Sequence, residues 1–213
     1  MPPVCELKNV TKRYGDHLVL NQIDLTVHER EMVAITGKSG SGKTTILNIM
    51  GMLENPDGGT VKLFGEEKPS SHSRKAHHIL RTRLSNLFQN YALIDNGTVD
   101  ENLDIPLIYA KKNKKEKQRM KRDALEQVGL NLSFKQKIHE LSGGEQQRVA
   151  MARILLKPCD LILADEPTGS LDAENREGIL EILNNFNREG KTIIIVTHDP
   201  FVAEACHRTF QLP

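Results

Sequence analysis

Eight consecutive residues, Gly37-Lys38-Ser39-Gly40-Ser41-Gly42-Lys43-Thr44, fit the spacing G-x-x-x-x-G-K-[ST]. Each residue type has a task if the ligand is a run of phosphates. The glycines reach backbone conformations that a Cβ forbids, so successive N–H groups can turn inward onto phosphate oxygens. A helix opening at Gly42-Lys43 adds unpaired N–H groups and the positive end of its dipole. Lys43 supplies a point charge to the terminal phosphates. The hydroxyl of Thr44 is a hard oxygen donor of the kind Mg²⁺ takes, and Thr45 follows it into the site. A plain Gly/Ser turn is the rival reading, but the context argues against it. The continuous apolar run Met32-Val33-Ala34-Ile35 precedes the loop as a buried strand would, and Ile46, Leu47, Ile49 and Met50 follow it at helical spacing.

A second apolar run, Leu161-Ile162-Leu163-Ala164, ends in Asp165-Glu166. Ligands in open α/β sheets bind at the carboxyl ends of strands, which brings both acids to the phosphate site. Adjacent residues of a strand face opposite sides, so the two acids are expected to divide the work. Asp165 suits Mg²⁺ ligation through water, and Glu166 suits general-base duty on an attacking water, or its positioning. A third cluster, Leu141-Ser142-Gly143-Gly144-Glu145-Gln146-Gln147, precedes the helical spacing of Val149, Ala150, Ala152, Ile154 and Leu155. Ser142 and the two glycines make a second anion-binding helix N-terminus. One nucleotide cannot readily satisfy both N-termini of one chain. A dimer that holds each ATP between the loop of one chain and Ser142, Gly143 and Gly144 of the other does.

The elements that must hold these residues are legible in outline. Val4 to Val10 and Leu18 to Val27 carry apolar residues at mostly alternate positions about the turn Tyr14-Gly15-Asp16, which predicts a half-exposed antiparallel layer. Thr60 to Phe64 reads as a further strand after the turn residues Asn55 to Gly59. Continuous apolar runs at 32–35, 161–164 and 193–196, separated by helical stretches, predict an α/β architecture with a parallel sheet flanked by helices. The middle of the chain is polar. Lys111 to Arg122 holds eight Lys or Arg and one acid, read as a solvated helix face, with contact to anionic lipid as the functional alternative. His72, His77 and His78 lack the Cys or acidic companions of a metal site and read as a polar surface helix.

Composition closes off other classes. With 213 residues, 38% hydrophobic and 27% charged, the chain is one folded domain rather than a disordered one. A net charge of +1 gives no bulk attraction to polyanions. The apolar runs are too short to cross a bilayer, and Met1 to Glu6 has neither the basic nor the apolar region of a signal peptide. Cys5, Cys159 and Cys206 lack C-x-x-C spacing and read as reduced packing thiols.

Taken in order along the chain, the three clusters resemble the ATP-binding cassette (ABC) ATPases, with Leu141 to Gln147 as the signature and Leu161 to Glu166 as the Walker B strand. The resemblance spans essentially the whole chain. It implies a P-loop NTPase core (1–89 and 157–213) with an N-terminal antiparallel β layer and an inserted helical subdomain (90–156). It also implies further roles. Tyr14 stacks on adenine, and Gln89 approaches Mg²⁺ and the attacking water. Asp172, within Ser170-Leu171-Asp172, crosses the dimer interface as well as capping the helix at Ala173, and His198 touches the γ-phosphate. Residues 141–152 and 164–172 look most like the macrolide-exporter and lipoprotein-releasing group, and the chain's size resembles small bacteriocin-export ATPases. The resemblance therefore implies an ATP hydrolase using ATP and Mg²⁺. It implies a bacterial homodimer on the cytoplasmic face of the cell membrane, coupled to a separate permease that docks near Gln89 to Leu107. An adaptor protein is an optional partner, and no nucleic acid is expected. The alternative is a non-transport ABC ATPase acting on nucleic acid, disfavoured because no long coiled coil separates loop from signature. The short tail after His198 is expected to curtail the last strand and helix.

Overall fold

The computed structural model describes residues 2–169 and 171–213. The chain opens with two long strands, β1 (Pro3–Tyr14) and β2 (His17–His28), paired antiparallel and reversing direction at a left-handed Gly15. Cys5, Leu7 and Val10 of β1 and Leu20, Ile23, Leu25 and Val27 of β2 are buried. The alternation slips in mid-strand at Asn9 and Gln22, which both adopt positive φ. There the register of the pair shifts, as at a β-bulge, and the apolar spacing changes from two to three. β3 (Met32–Thr36) follows, then α1 (Lys43–Met50), β4 (Gly58–Leu63) and β5 (Glu66–Glu67). The first sheet runs β2-β1-β4-β5 and is antiparallel throughout.

Next come α2 (Arg74–Thr82) and β6 (Leu84–Leu87), then only helices up to residue 155: α3 (Val99–Asp104), α4 (Lys114–Gln127) and α5 (Gly143–Leu155), with short 3₁₀ turns between them. The chain ends with β7 (Leu161–Asp165), α6 (Ala173–Arg188), β8 (Thr192–Val196), α7 (Pro200–Glu204) and β9 (Arg208–Gln211). The second sheet has the order β6-β7-β8-β3-β9 and is parallel at every pairing. Its central strands β7, β8 and β3 are buried on both faces, which is why they read as continuous apolar runs. Val33, Ile35, Leu161, Leu163, Ile194 and Val196 pack toward the antiparallel layer and α1. Ile162, Ala164, Ile193 and Ile195 face the other way, into one cluster with the helices between β6 and β7 and with α6. The helical insertion thus shares its core with the sheet that carries the site.

Two expectations need correction. The tail is not curtailed: α7 is present, β9 pairs with β3 from Val33↔Arg208 to Thr36↔Gln211, and Leu212 is buried behind the phosphate loop. Nor is the basic run wholly solvated. Lys121 of α4 is 2% exposed, and its ammonium lies 2.7 Å from both Asp100 and Asp104. The spacing of the run places Lys121 beside exposed neighbours. What buries it is the pair of acids on α3, 21 and 17 residues earlier in the chain but packed directly against it in space. Cys5 and Cys159 are buried and burial pushes both thiols up, as it does Cys206, to about 12, which fits packing roles.

Candidate nucleotide site

The loop between β3 and α1 is built around glycine. Gly42 is the N-cap of α1 with φ 91°, and a Cβ there would lie 2.7 Å from Leu20 Cδ2 and 2.8 Å from Val19 Cγ1. Only glycine meets both demands. No side chain caps α1, so its first N–H groups stay available to an anion. Lys43 Nζ donates to the carbonyls of Gly37 and Lys38 at 2.8 Å each, folding the loop around its own ammonium. The buried hydroxyl of Ser41 has no partner among the described residues. Gly37, Lys38 and Ser41 therefore shape the loop, whereas Ser39, Gly40, Gly42, Lys43, Thr44 and Thr45 line a cleft of about 460 Å³ at the carboxyl ends of the parallel strands.

Asp165, Glu166, Gln89, His198 and Tyr14 line the same cleft. Asp165 ends β7 and accepts from Thr44 Oγ1 at 3.4 Å. Burial pushes its carboxyl above the usual carboxylate range, the Thr44 hydroxyl opposes this, and the charge of Glu166 adds to it. Glu166 lies one residue past the strand with φ 46°. The alternation of a strand therefore does not govern it, and both acids face one cleft rather than opposite sides. Their partners still divide the work. Glu166 Oε1 meets His198 Nδ1 at 2.7 Å, and its Oε2 accepts from the His198 N–H and the Thr197 hydroxyl at 3.4 Å. The His198 side chain is 70% exposed, so most of the ring remains open to a ligand.

A carboxylate held ionised against desolvation at neutral pH lowers stability, and the sign can be tested. With a folded pKa above the unfolded one, Asp165 favours the fold only when protonated, and that contribution is lost as pH rises through its folded pKa. Asp165→Asn, which is neutral throughout, is expected to melt roughly 1–3 °C above wild type near pH 7 without nucleotide. The gap should close in acid, below the carboxylate range. Melting curves across pH check this, and a variant less stable at neutral pH would contradict it.

Tyr14, at the end of β1, is 48% exposed, and its hydroxyl donates to Glu54 Oε2 at 2.7 Å. Lys12 lies 5.6 Å from the Tyr14 ring centre and 3.3 Å from Glu54. Glu54 thus fixes the ring, and it escaped the sequence reading, as did the cleft-lining His17 and Val19. No local pattern marks Glu54, because only the pairing of β1 with β4 brings residues 14 and 54 together.

Ser142, Gly143 and Gly144 are not among the residues lining this cleft. Ser142 caps α5 in a reciprocal box with Glu145. A Cβ on Gly144 would lie 2.6 Å from Asn175 Oδ1, and Asn175 donates in turn to both oxygens of Asp172, the N-cap of α6. The signature N-terminus and the start of α6 are therefore one packed unit. Ser170 lies outside the described residues.

Residues 20–169 match the ABC transporter family. The chain belongs to that family. It is 42% identical over 207 residues to the uncharacterized ABC transporter ATP-binding protein YknY of Bacillus subtilis, covering 95% of this chain and 90% of that one. It is 39% identical over 206 residues to the macrolide export ATP-binding/permease protein MacB of Campylobacter jejuni. That match takes in 97% of this chain but 32% of MacB, so the cassette spans about a third of the length of such relatives. Among solved structures it is similar to a dimeric, post-hydrolysis state of the ATP-binding cassette MJ0796 bound to ADP and Pi. The TM-score is 0.89 at 37% identity, with 98% of this chain and 94% of the other covered. The fold is that of ABC ATPase cassettes, and the cassette is an ATP-binding ATP hydrolase. The transporter names of its relatives disfavour the nucleic-acid alternative.

Proposed function

We propose that two copies of the cassette close on two ATP molecules and drive a separate membrane permease that exports or extracts a substrate. One observation carries this reading. The cleft gathers Lys43, Thr44, Asp165, Glu166 and His198, while Ser142 to Gly144 belong to another surface of the same chain. A second chain, turned about a two-fold axis, can bring its α5 N-terminus to the open side of the cleft. The dimeric state described for MJ0796 supports the same arrangement.

Each residue then has a task. Lys43 and the loop N–H groups hold the β- and γ-phosphates, and Tyr14, steadied by Glu54, offers a flat ring to adenine. The donor set at Thr44 and Asp165 fits Mg²⁺: a hydroxyl and a buried carboxylate, both hard oxygens, the latter pushed up in pKa by burial. Thr44, Asp165 and Gln89 would hold the ion, which when bound neutralises charge on the phosphates. Glu166 takes the proton of the water that attacks the γ-phosphorus, with His198 setting the direction of its carboxylate. Asp172 lies beside the signature N-terminus, where an interface across the dimer would include it.

For the permease, a cavity of about 1050 Å³ forms an apolar groove between the α2–β6 side of the core and the helical insertion. Ala92, Ile105 and Pro106 of the expected 89–107 region line it, as does Phe88 just before that region, and the groove continues to Ile108 and Tyr109, which are 64% and 65% exposed. A short helix from the permease fits such a groove. This docking holds the cassette at the cytoplasmic face of the membrane. Among the described residues no helix is long and apolar enough to cross a membrane.

Mixing two inactive variants tests the shared site. Lys43→Ala and Ser142→Phe chains are each expected to lack ATPase activity. An equal mixture should recover about a quarter of wild-type activity, because half the dimers are mixed and each of those keeps one intact site. Full activity of the Ser142→Phe chain on its own would sink the shared-site reading.

A further inference from the structure

The exposed cations around the start of α4 take no part in ATP chemistry. Of the eight Lys or Arg between Lys111 and Arg122, Lys121 is buried against two acids, Lys112 pairs with Glu116 at 3.2 Å, and Lys117 donates to the Leu107 carbonyl. Lys111, Lys114, Lys115 and Arg119 are exposed and form no ion pair among the described residues. Lys115, Arg119 and Arg122 recur at i, i+4 and i+7, so they share one helix face, and together with Asn113, Glu116 and Gln118 they line a depression of about 380 Å³. Like charges four apart on a helix oppose one another. A face meant only for water would gain stability from interleaved acids, yet the one acid of the run is committed to Lys112.

Next to these cations lies exposed apolar surface. Ile105, Ile108 and Tyr109 are 40%, 64% and 65% exposed, and Lys111 and Lys112 line the same groove. Aliphatic and tyrosine side chains beside unpaired lysines suit the headgroup layer of a bilayer, where apolar groups enter the interface and ammonium groups meet phosphate. We infer that the Lys111–Arg122 face docks on anionic phospholipid headgroups of the leaflet under which the cassette works. This rests on the permease reading, since a permease seated in the adjoining groove is what holds this side against the membrane. Each basic residue near an anionic leaflet strengthens binding about fivefold, so the four unpaired cations supply up to about six-hundredfold at low salt. The effect fades as the Debye length shortens.

The test is co-sedimentation of the full chain with phosphatidylcholine vesicles, with and without phosphatidylglycerol at roughly one part in three. Wild type is expected on the anionic vesicles and not on the neutral ones, and to leave them at high salt. Lys115→Glu with Arg119→Glu should weaken binding about twentyfold or more while leaving ATPase activity unchanged. A charge-matched control, Lys8→Glu with Arg188→Glu, should bind as wild type. Equal binding to both vesicle types would overturn the inference, as would an unaffected Lys115/Arg119 variant or a control that loses as much. Duplex DNA displacing wild type from the vesicles at lower charge concentration would overturn it in favour of a nucleic-acid surface. The permease reading fails separately. Phe88→Ala, inside the groove and away from the exposed apolar patch, should cost permease capture but not vesicle binding, so permease capture unchanged in Phe88→Ala sinks the docking assignment alone.

Discussion

Glu166→Gln is expected to slow ATP hydrolysis by about 10²–10⁴ while leaving ATP affinity close to wild type, the usual worth of a general base. The substitution keeps the size of the side chain and an oxygen for the contact with His198, which stands at 2.7 Å in the wild-type chain. It removes the ability to take a proton from water. Loss in kcat should therefore be matched in kcat/KM, since the interaction is made only in the transition state. A second readout separates this from a general collapse of the site. If hydrolysis is what releases the two chains, ATP should accumulate a Glu166→Gln dimer visible by gel filtration or light scattering, and ADP should not. Wild-type turnover by this variant would remove Glu166 from the proton transfer, and slow turnover with no ATP-dependent dimer would leave the base in place but break the link between nucleotide and closure. His198→Ala offers no substitute for this experiment, because the same ring both touches Glu166 and stands open to the ligand.

How much of this was legible in residue order depends on how far apart the cooperating groups lie. The phosphate loop could be read because all its parts fall within eight residues between a buried strand and a helix, and local chemistry decides the geometry. The parallel sheet could be read because strands covered on both faces have no polar alternation to confuse with a helix stripe, and the three runs at 32–35, 161–164 and 193–196 all became strands of it. Reasoning from strand alternation went astray at Glu166, because β7 stops at Asp165 and the next residue takes a left-handed conformation that no residue type announces. Glu54 was invisible for another reason: it meets Tyr14 across forty residues of sequence, through a strand pairing that the pattern suggests but whose register it does not state. Lys121 is similar. A lysine within a run of lysines looks solvated until α3 brings Asp100 and Asp104 to it. The last strand was underestimated because Arg208 to Gln211 alternates exposed and half-buried residues, the mark of an edge strand, and an edge needs less apolar character than the centre.

Lys43→Ala is expected to weaken ATP binding by about 10- to 100-fold, the worth of one or two charge-assisted hydrogen bonds. Two losses combine in that figure. The ammonium now donates to the Gly37 and Lys38 carbonyls, so its removal leaves those carbonyls unpaired and loosens the loop; it also strips the positive charge from the place where the terminal phosphates sit. Comparing nucleotides tells the two apart. Loss of charge at the β- and γ-phosphates should hit ATP hardest and AMP least, so the preference for ATP over AMP falls. A loosened loop alone would weaken all nucleotides alike, since the α1 N-terminus and the glycine cradle serve every phosphate. Lys43→Met separates them further, because it keeps the length of the side chain and its packing but has no charge, and it should resemble Lys43→Ala in selectivity. Fluorescence titrations with ATP, ADP and AMP make the comparison. Unchanged ATP affinity in both variants would mean that residues 37–44 do not hold the triphosphate, and with that the assignment of Thr44 and Asp165 to its metal would lose its footing, because Thr44 belongs to that loop and Asp165, at the end of β7, is tied to it through the Thr44 hydroxyl.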